Sequence, residues 1–531
     1  MALRRSIGLM GLTFVAVSGI VGSGWLFAPL LAAQAAGPAA VISWGIGGFA
    51  MLLLALCFAE VAALLPVAGG IARIPHFTHG DVTSMLLGWT AWIGYNTAAP
   101  IETLAMLNYL GHDFPWLFRG HVGTGPLTPA GAAVAIGVLV LFVVINAIGV
   151  RAFAGTNVAL TWVKLGIPLI LAVVLIGGHL HTENFSEFGG FAPFGVEGVF
   201  AAVLSGGVIF ALIGFRHAID MAGEVRRPRV TIPLALILSV LICVGLYAVL
   251  QIAFVGAVPP ERLVSGWDQL HFGEDLGPIA GVAIAAGLGW ATVMLYAGAV
   301  VGPLGGGLVS TGSNARLGYA LAQNGFFPRW LEKLSARDVP LRSLALNLAC
   351  GVVILLLVPF EQAVALNGAA ITLSFAAGPI AVVALRRQLP DAQRPFRLPM
   401  VNVHATIAFV VATLIVYWSG WDTNLRLFVA VLFGAGLFTA RFWWGDSSLS
   451  EIDLRGALWF VPYTAGLGLL SYAGRFGGGH ELLPYPWDEF IVMAFAVGIF
   501  ALANWCRLSN ETAEHYRSCY ASELLLDTTP L

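Results

Sequence analysis

Apolar runs long enough to cross a membrane follow one another along almost the whole chain, and most charged residues lie between them. An α-helix of about 20 apolar residues spans the hydrocarbon core of a bilayer. With 58% hydrophobic and only 10% charged residues, the chain carries more apolar side chains than a soluble protein of its length could bury. The pattern therefore predicts an all-α membrane protein that crosses a lipid bilayer many times.

Hydropathy predicts about 14 transmembrane helices. They cover residues 7–36, 40–65, 84–110, 130–150, 156–178, 198–222, 232–256, 278–303, 341–358, 363–386, 403–420, 424–443, 456–473 and 488–506. Span 456–473 is short and glycine-rich, so it could instead lie in the membrane interface. The stretch 304–340 is amphipathic and predicts a cytoplasmic helical loop, and the tail 507–531 is short and polar.

Positive charges are distributed unequally between the two sides of this topology. With a cytoplasmic N-terminus, 20 of the 26 lysine and arginine residues lie in inside segments and four in outside loops. The positive-inside rule therefore favours an even number of spans with both termini cytoplasmic. The first apolar run has no A-x-A cleavage site, so we expect a retained span in the cell (inner) membrane.

Glycine interrupts two of the predicted spans. Span 1 holds three glycines and two serines between Ser18 and Gly24, and span 6 holds three glycines between Ser205 and Gly214. Small residues also serve close helix packing, but two interruptions five spans apart are typical of an inverted-repeat transporter. Unwound backbone at this depth must line a cavity or lie buried in protein, and amides at the start of a helix favour a carboxylate. We therefore expect a substrate site at these breaks.

Short motifs, in their order and spacing, resemble those of the amino acid–polyamine–organocation permeases. They are GSGWLF (22–27), Glu60 followed by PVAGG (66–70), FALIGF (210–215), EVRRP (224–228) followed by IP (232–233), RLGYALAQNG (316–325) followed by Pro328, and RPFRLP (394–399). The resemblance covers about residues 5–440 and leaves out the last two helices.

The resemblance implies a LeuT-like core of 5+5 inverted-repeat helices with broken helices 1 and 6. Residues 1–36 would form broken helix 1, 37–178 helices 2–5 of the first repeat, and 198–386 the second repeat, helices 6–10. Residues 403–443 would form helices 11 and 12, and 444–531 two extra helices with a cytoplasmic tail.

The resemblance also implies where an amino acid would bind. Its carboxylate would meet the backbone of Ile20, Val21, Gly22, Ser23 and Gly24. Its ammonium group would be bound around Phe210, Ala211, Ile213 and Gly214, with Phe210 as an aromatic gate.

Lys164 is one of only two lysines and lies within an apolar run. A charge at membrane depth costs from about 3 to well over 10 kcal/mol, so such residues persist where they face a cavity or a partner. By resemblance, Lys164 aligns with a fifth-helix lysine of proton-coupled members, which implies proton coupling. The alternative is a permanently charged lysine that braces the broken carbonyls of span 1.

Arg216 departs from the resemblance, because many members carry an acidic residue after the Gly-Phe of span 6. Its guanidinium could bind a side-chain carboxylate of the substrate in bidentate fashion, which would make the substrate acidic. The string IGFRHAID (213–220) is similar to bacterial permeases proposed to carry aspartate. Alternatively, Asp220 or Glu102 could neutralise Arg216 and leave the substrate neutral. Glu102 could also sense protons or face a neighbouring polar group.

Other polar residues are weaker candidates. His217 is more typical of a packed helix histidine than of a proton relay, and we expect Glu60 to brace the end of span 2. His76 and His79 have the spacing of two metal ligands but lack further ligands nearby, so we predict a solvated loop and no metal site. The run GPLGGG (302–307) lacks the lysine of a phosphate loop and is expected to let span 8 bend.

The sequence thus predicts a secondary active transporter, not an enzyme, that takes up aspartate or glutamate with protons by alternating access. A neutral or cationic amino acid permease, or an amino acid exchanger, is the alternative. No catalytic array supports an enzyme, and no repeated ring of charge supports a channel. We expect no cofactor besides the coupling proton and no nucleic-acid partner, and the oligomeric state is left open.

Overall fold

The fold is a bundle of α-helices. The computed structural model describes residues 5–111, 113–120, 125–204, 207–272, 278–444 and 453–518. In these residues the regular structure is helical, apart from two isolated β-bridges. The all-α prediction is therefore confirmed for the described part of the chain.

The helices fall into three groups along the chain. The first group is α1 (Leu9–Ile20), α2 (Gly24–Ala36), α3 (Ala40–Leu64), α4 (Gly70–His79), α5 (Asp81–Leu110), α6 (Pro129–Ile148) and α7 (Val150–Gly178). The second is α8 (Gly195–Leu204), α9 (Val208–Leu212), α10 (Arg216–Asp220), α11 (Pro228–Ala257), α12 (Pro278–Ala285), α13 (Ala291–Gln323), α14 (Leu341–Leu357), α15 (Phe360–Ser374) and α16 (Ala377–Gln388). The third is α17 (Val401–Trp418), α18 (Trp421–Trp444), α19 (Phe460–Ala473), α20 (Trp487–Cys506) and α21 (Asn510–Ser518).

Many of these helices are long and apolar enough to cross a membrane. In the described residues nine helices or continuous helix runs pass that test, and the bent pair of α8 and the segment Val208–Asp220 adds a tenth. Helix α5, predicted as the third span, is 30 residues long but is not among them. The chain is thus a multi-pass membrane protein, whereas the fourteen-helix topology stays a prediction.

Helix α1 lies at the centre of the bundle. It packs against α7, α11 and α13, while α5 packs along α13 and α3 packs along α11. Most side chains of α1 are buried. The last helices pack together, with α20 against α17 and α19 between α18 and α20. A break in α1 therefore opens into protein and not into lipid.

The predicted boundaries of span 8 are wrong. The apolar run that begins at Pro278 forms the short helix α12, and a turn at Gly287 (φ +75°) separates it from α13. Helix α13 then continues without interruption into the stretch expected to be a separate cytoplasmic helical loop, as far as Gln323. Its small and polar residues are buried against other helices, so their low hydropathy does not indicate exposure to water.

Two buried carboxylates hold one end of the bundle together. Glu60 accepts hydrogen bonds from Arg386 Nε at 2.6 Å and from the backbone N–H of Leu398 at 2.7 Å, and it pairs with Arg394 at 3.2 Å. These contacts confirm that Glu60 braces the end of α3, and they give the RPFRLP motif a structural role. We call this end of the bundle the basic end, because Arg316, Arg386 and Arg394 lie there.

The second carboxylate is Glu224, which follows α10. Arg316 of α13 donates to both of its oxygens, from Nε at 2.7 Å and from a terminal nitrogen at 2.9 Å, and both side chains are buried. The Glu224 backbone carbonyl also accepts from the N–H groups of Ser6 and Ile7. The segment after α10 is therefore tied both to α13 and to the start of the chain.

The loop predicted around His76 and His79 is a helix, so that prediction is wrong. Both histidines lie in α4, a ten-residue helix outside the membrane-spanning segments, and both are buried. His79 Nε2 lies 3.2 Å from the carbonyl oxygen of Ala503 in α20, and its Nδ1 lies 2.9 Å from the hydroxyl of Thr78. These partners suit a neutral ring that donates from Nε2. Within the described residues no group of potential ligands could hold a metal ion.

We expect acid to destabilise the protein partly through His79. Burial lowers the pKa of His79 from 6.5 to about 4. Between these two pH values the unfolded chain binds the proton and the folded protein does not, so stability falls as the pH decreases, by up to about 1.4 kcal/mol per pH unit. The midpoint of thermal unfolding, measured between pH 7 and pH 4, should fall less steeply in His79→Gln. An equal fall in both proteins would contradict this assignment.

Candidate functional site

The first membrane helix is broken at its centre. α1 ends at Ile20 and α2 begins at Gly24, and Val21 departs from helical geometry with φ −85° and ψ 74°. The end of a helix leaves backbone carbonyls without intrahelical partners, and its start leaves backbone amides without them. The predicted interruption of span 1 is confirmed, and it places both kinds of group in the middle of the bundle.

The sixth predicted span is also discontinuous. α8 and the segment Val208–Asp220 are inclined to each other by 42°. Within the second part, a 3-10 turn at Ile213–Phe215 separates α9 from α10. Ser205 and Gly206, which contribute to the predicted break, lie outside the described residues.

The two breaks meet backbone to backbone. A Cβ atom added at Gly214 would lie 2.1 Å from the carbonyl carbon of Gly19, and one added at Gly19 would lie 2.9 Å from the carbonyl oxygen of Gly214. The Cβ atom added at Gly19 would also lie 2.2 Å from Cδ2 of His217. Only glycine fits at either position without moving one helix away from the other.

A cavity of about 40 Å³ lies between the breaks. It is lined by Gly19, Ile20, Gly22, Gly24, Ala98, Ile101, Glu102, Phe210, Ala211, Ile213, Arg216, His217, Ser310 and Asn367. Most of the residues predicted for substrate binding therefore surround one space, together with Glu102. Phe210 and Ile213 also line a second cavity, between α9, α15 and α17, so these two residues lie between the two spaces.

Four predicted residues do not line the central cavity. Val21 and Ser23 are buried in the break itself, and Gly214 forms the contact with Gly19. Lys164 contacts α1 at Ser18 and does not reach the cavity. Its Nζ donates to the Ser18 carbonyl oxygen at 2.7 Å and to the Ser18 hydroxyl at 3.0 Å, so it binds the last turn of α1.

Glu102 reaches from α5 into the break. Its Oε2 accepts a hydrogen bond from the backbone N–H of Ser23 at 3.0 Å. A Cβ atom at Gly22 would lie 2.1 Å from its Oε1, and one at Gly306 would lie 2.8 Å from the same oxygen. The carboxyl group is therefore held between two glycines and beside the first turn of α2.

Arg216 faces the cavity from α10 and is 3% exposed. Its guanidinium carbon lies 4.7 Å above the Tyr95 ring, and it donates one hydrogen bond, of 3.2 Å, to the Ile213 carbonyl. Within the described residues it makes no ion pair with a carboxylate, and its Nε has no hydrogen-bond partner. Asp220 accepts a hydrogen bond from the Tyr95 hydroxyl instead. The predicted pairing of Arg216 with Asp220 or Glu102 is thus not formed as a direct ion pair.

Sequence reasoning missed several residues of the site. Tyr95 and Ala98 share one face of α5 with Glu102, and Ser310 and Asn367 line the cavity from α13 and α15. The helical spacing of 95, 98 and 102 was a usable signal, because it follows once Glu102 is assumed to face the substrate. Ser310 and Asn367 carry no such signal in one sequence.

Two discontinuous membrane helices that meet at a cavity with buried charges are typical of secondary transporters. The chain matches the model of the amino acid permease family over residues 7–438, and it belongs to that family. The family is part of the amino acid–polyamine–organocation superfamily, so the resemblance stated from the motifs is confirmed.

Individual relatives extend the match beyond residue 438. The chain is 33% identical to the glutamate/serine transporter AimA of Bacillus subtilis, over 94% of each protein. It is 34% identical to the aspartate-proton symporter of the same organism, over 95% of this chain and 96% of the relative. A branched-chain amino acid permease, BcaP, from that organism is 26% identical over 82% of this chain.

The glycine contact between the two broken helices gives a direct test. In Gly214→Ala the new methyl group would collide with the Gly19 backbone, and overpacking of this kind costs about 1–3 kcal/mol or more. We expect a lower midpoint of thermal unfolding and loss of transport in this variant. Gly245→Ala in α11 is the matched control, because open space surrounds that Cβ position. Equal stability and transport in the two variants would contradict the contact.

Proposed function

We propose that the protein takes up an acidic amino acid, aspartate or glutamate, together with protons, by alternating access. The amino acid would bind in the central cavity between the two breaks. The observation that carries this proposal is Arg216, a buried guanidinium at the cavity without an ion-paired carboxylate. A buried charge is costly unless it is paired, and a substrate carboxylate would supply the missing partner.

The relatives support the same substrate class. One of them is named for aspartate and protons, and another for glutamate and serine. Serine has no second carboxylate, so a carrier related to the latter protein could also accept a neutral amino acid. Arg216 favours the acidic substrate here, since a neutral amino acid has no side-chain carboxylate to pair directly with the guanidinium.

The binding roles follow from the chemistry at each break. The substrate's α-carboxylate would meet the backbone between Ile20 and Gly24, because the start of a helix is a ready anion site. Its ammonium group would bind carbonyl groups between Phe210 and Gly214. Its side-chain carboxylate would bind Arg216, and movement of the Phe210 side chain would connect the two cavities that this residue lines.

Lys164 would couple transport to protons through α1. Its ammonium group binds Ser18 at the C-terminal end of α1, where the helix dipole favours positive charge. Loss of the proton would remove the charge and weaken this attachment, so that α1 could change position. Protonation of Lys164 and movement of α1 would then be linked events.

The arrangement supports a LeuT-like core, with helices 1–5 and 6–10 as inverted repeats and the last helices outside it. By the charge distribution, the basic end would face the cytoplasm, and the protein would lie in the inner membrane with both termini inside. The basic end would then be the cytoplasmic gate, and the buried ion pair between Arg316 and Glu224 would help to close it.

Arg216→Ala should remove recognition of dicarboxylic substrates. Hydrogen bonds to charged groups contribute about 1.5–3 kcal/mol, so the affinity for aspartate or glutamate should fall roughly 10- to 150-fold. Uptake of radiolabelled aspartate into proteoliposomes, with competition by all twenty amino acids at two pH values, measures this. Competition by asparagine or glutamine should change much less.

Arg426→Ala is the control for this experiment, because that arginine is exposed on α18. It should keep the aspartate affinity of the unaltered protein. An unchanged aspartate affinity in Arg216→Ala would refute the role of Arg216. Competition by neutral amino acids alone in the unaltered protein would refute the substrate class.

Lys164→Ala should abolish the response of uptake to an imposed pH gradient, because no titratable group would remain to hold α1 at Ser18. Substrate counterflow, which needs no gradient, should persist if the protein folds. The only other lysine, Lys333, is exposed, so Lys333→Ala is a control expected to respond normally. Full pH-driven accumulation in Lys164→Ala would contradict proton coupling at this residue. Counterflow without any pH-driven accumulation in the unaltered protein would identify an exchanger.

A further inference from the structure

Glu102 occupies the place that the proposed function assigns to the substrate. The backbone N–H of Ser23, at the start of α2, donates to Glu102 Oε2 at 3.0 Å. The other carboxylate oxygen lies so close to Gly22 that a Cβ atom there would be 2.1 Å away. The carboxyl group of Glu102 therefore lies against the unwound backbone of helix 1.

A glutamate side chain and an amino acid present the same binding group to this backbone. α2 is 13 residues long, and the first amides of a helix bind one carboxylate well. The Ser23 amide has a single hydrogen to donate. A second carboxylate can take this position only after the first has left it.

We propose that Glu102 is a tethered competitor of the substrate. Its carboxylate binds the Ser23 amide, between α1 and α2, when the site is empty, and it releases this amide to the amino acid when Glu102 takes up a proton. This inference rests on the proposed function, because it needs a substrate that binds helix 1 through a carboxylate. It adds the order of events: the proton moves Glu102 aside, and the substrate carboxylate takes its place.

The chemistry of the carboxyl group explains the release. An ionised carboxylate only accepts hydrogen bonds, and its charge strengthens the bond from Ser23. A protonated carboxyl group binds the same amide as a neutral acceptor and carries its own O–H donor, which needs another partner. Binding of the proton and binding of the substrate carboxylate therefore favour each other, and this coupling is reciprocal.

The surrounding groups are compatible with a movable side chain. Lys164 of α7 and Tyr247 of α11 interact electrostatically with Glu102, and Arg216 and His217 of α10 line the same cavity. Lys164 donates to Ser18 and Tyr247 to the Ile20 carbonyl, and neither makes a hydrogen bond to Glu102 in the described structure, although the Lys164 ammonium group attracts the carboxylate electrostatically. Helix α13 packs Gly306 against the carboxyl group on one side, while Glu102 and Ser310 both line the central cavity, so the cavity is the space into which the side chain could move.

The test compares the unaltered protein with Glu102→Gln, which resembles the protonated side chain in shape and charge. The dissociation constant of L-aspartate is measured by calorimetry between pH 5 and pH 9. In the unaltered protein, competition should weaken binding by up to about tenfold per pH unit once Glu102 is ionised, the limit for one linked proton. In Glu102→Gln that part of the pH dependence should disappear, and binding at high pH should be the tighter of the two.

The exposed residue Glu361 provides the matched control, and Glu361→Gln should retain the pH profile of the unaltered protein. Glu102→Asp keeps the charge on a side chain one methylene shorter, so it too should bind more tightly than the unaltered protein at high pH. The same steep pH profile in Glu102→Gln as in the unaltered protein would overturn the proposal.

A second measurement does not depend on the identity of the substrate. Hydrogen exchange of the Ser23 amide, followed at one pH in the substrate-free protein, should be at least tenfold faster in Glu102→Ala than in the unaltered protein. An unchanged rate would overturn the role of Glu102, whatever is transported. Faster exchange without any binding of aspartate or glutamate would support Glu102 and refute the proposed substrate class instead.

Discussion

Unpaired backbone groups in the middle of a membrane are the constraint on which the rest of this structure depends. A broken helix leaves carbonyls and amides that lipid cannot satisfy. Side chains of three other helices meet this need in α1 and α2. Lys164 donates to the Ser18 carbonyl, Tyr247 donates to the Ile20 carbonyl at 3.1 Å, and Glu102 accepts from the Ser23 amide. Lys164 and Glu102, the two residues proposed to bind protons, are thus among those that make the break possible.

The glycines of α13 make room for these side chains. A Cβ atom at Gly305 would lie 2.9 Å from Lys164 Nζ, and one at Gly306 would lie 2.8 Å from Glu102 Oε1. A Cβ atom at Gly302 in the same helix would lie 3.0 Å from the Gly22 carbonyl oxygen. The glycine run, which the sequence predicts to let span 8 bend, forms a helix face against which buried charges and an unwound backbone pack, while the bend itself stays a prediction.

Local composition predicted a large part of this arrangement. Apolar runs indicated the helices, and clustered glycines located both breaks, because each signal comes from residues adjacent in the chain. The length of α13 could not be predicted in this way. Its glycines and serines lower the local hydropathy, and only the packing of neighbouring helices shows that they are buried. The bond from Ser23 to Glu102 joins residues 79 positions apart, and the relation of Tyr95 to Arg216 and Asp220 likewise depends on packing. The division into repeats and the binding roles stay predictions.

The C-terminal helices pack directly against α4, which precedes them by more than 350 residues in the chain. The backbone of Gly456 packs so closely on His79 that a Cβ atom there would lie 1.7 Å from its carbonyl oxygen, and α20 supplies the acceptor for the His79 ring. The loop before α4 is in turn bound to the end of α10 through the Gly69 amide and the Asp220 carbonyl. A chimera that kept only residues 7–438, the part that matches the family model, would leave α4 uncovered and the His79 ring without its acceptor. Its new C-terminal part would have to supply both.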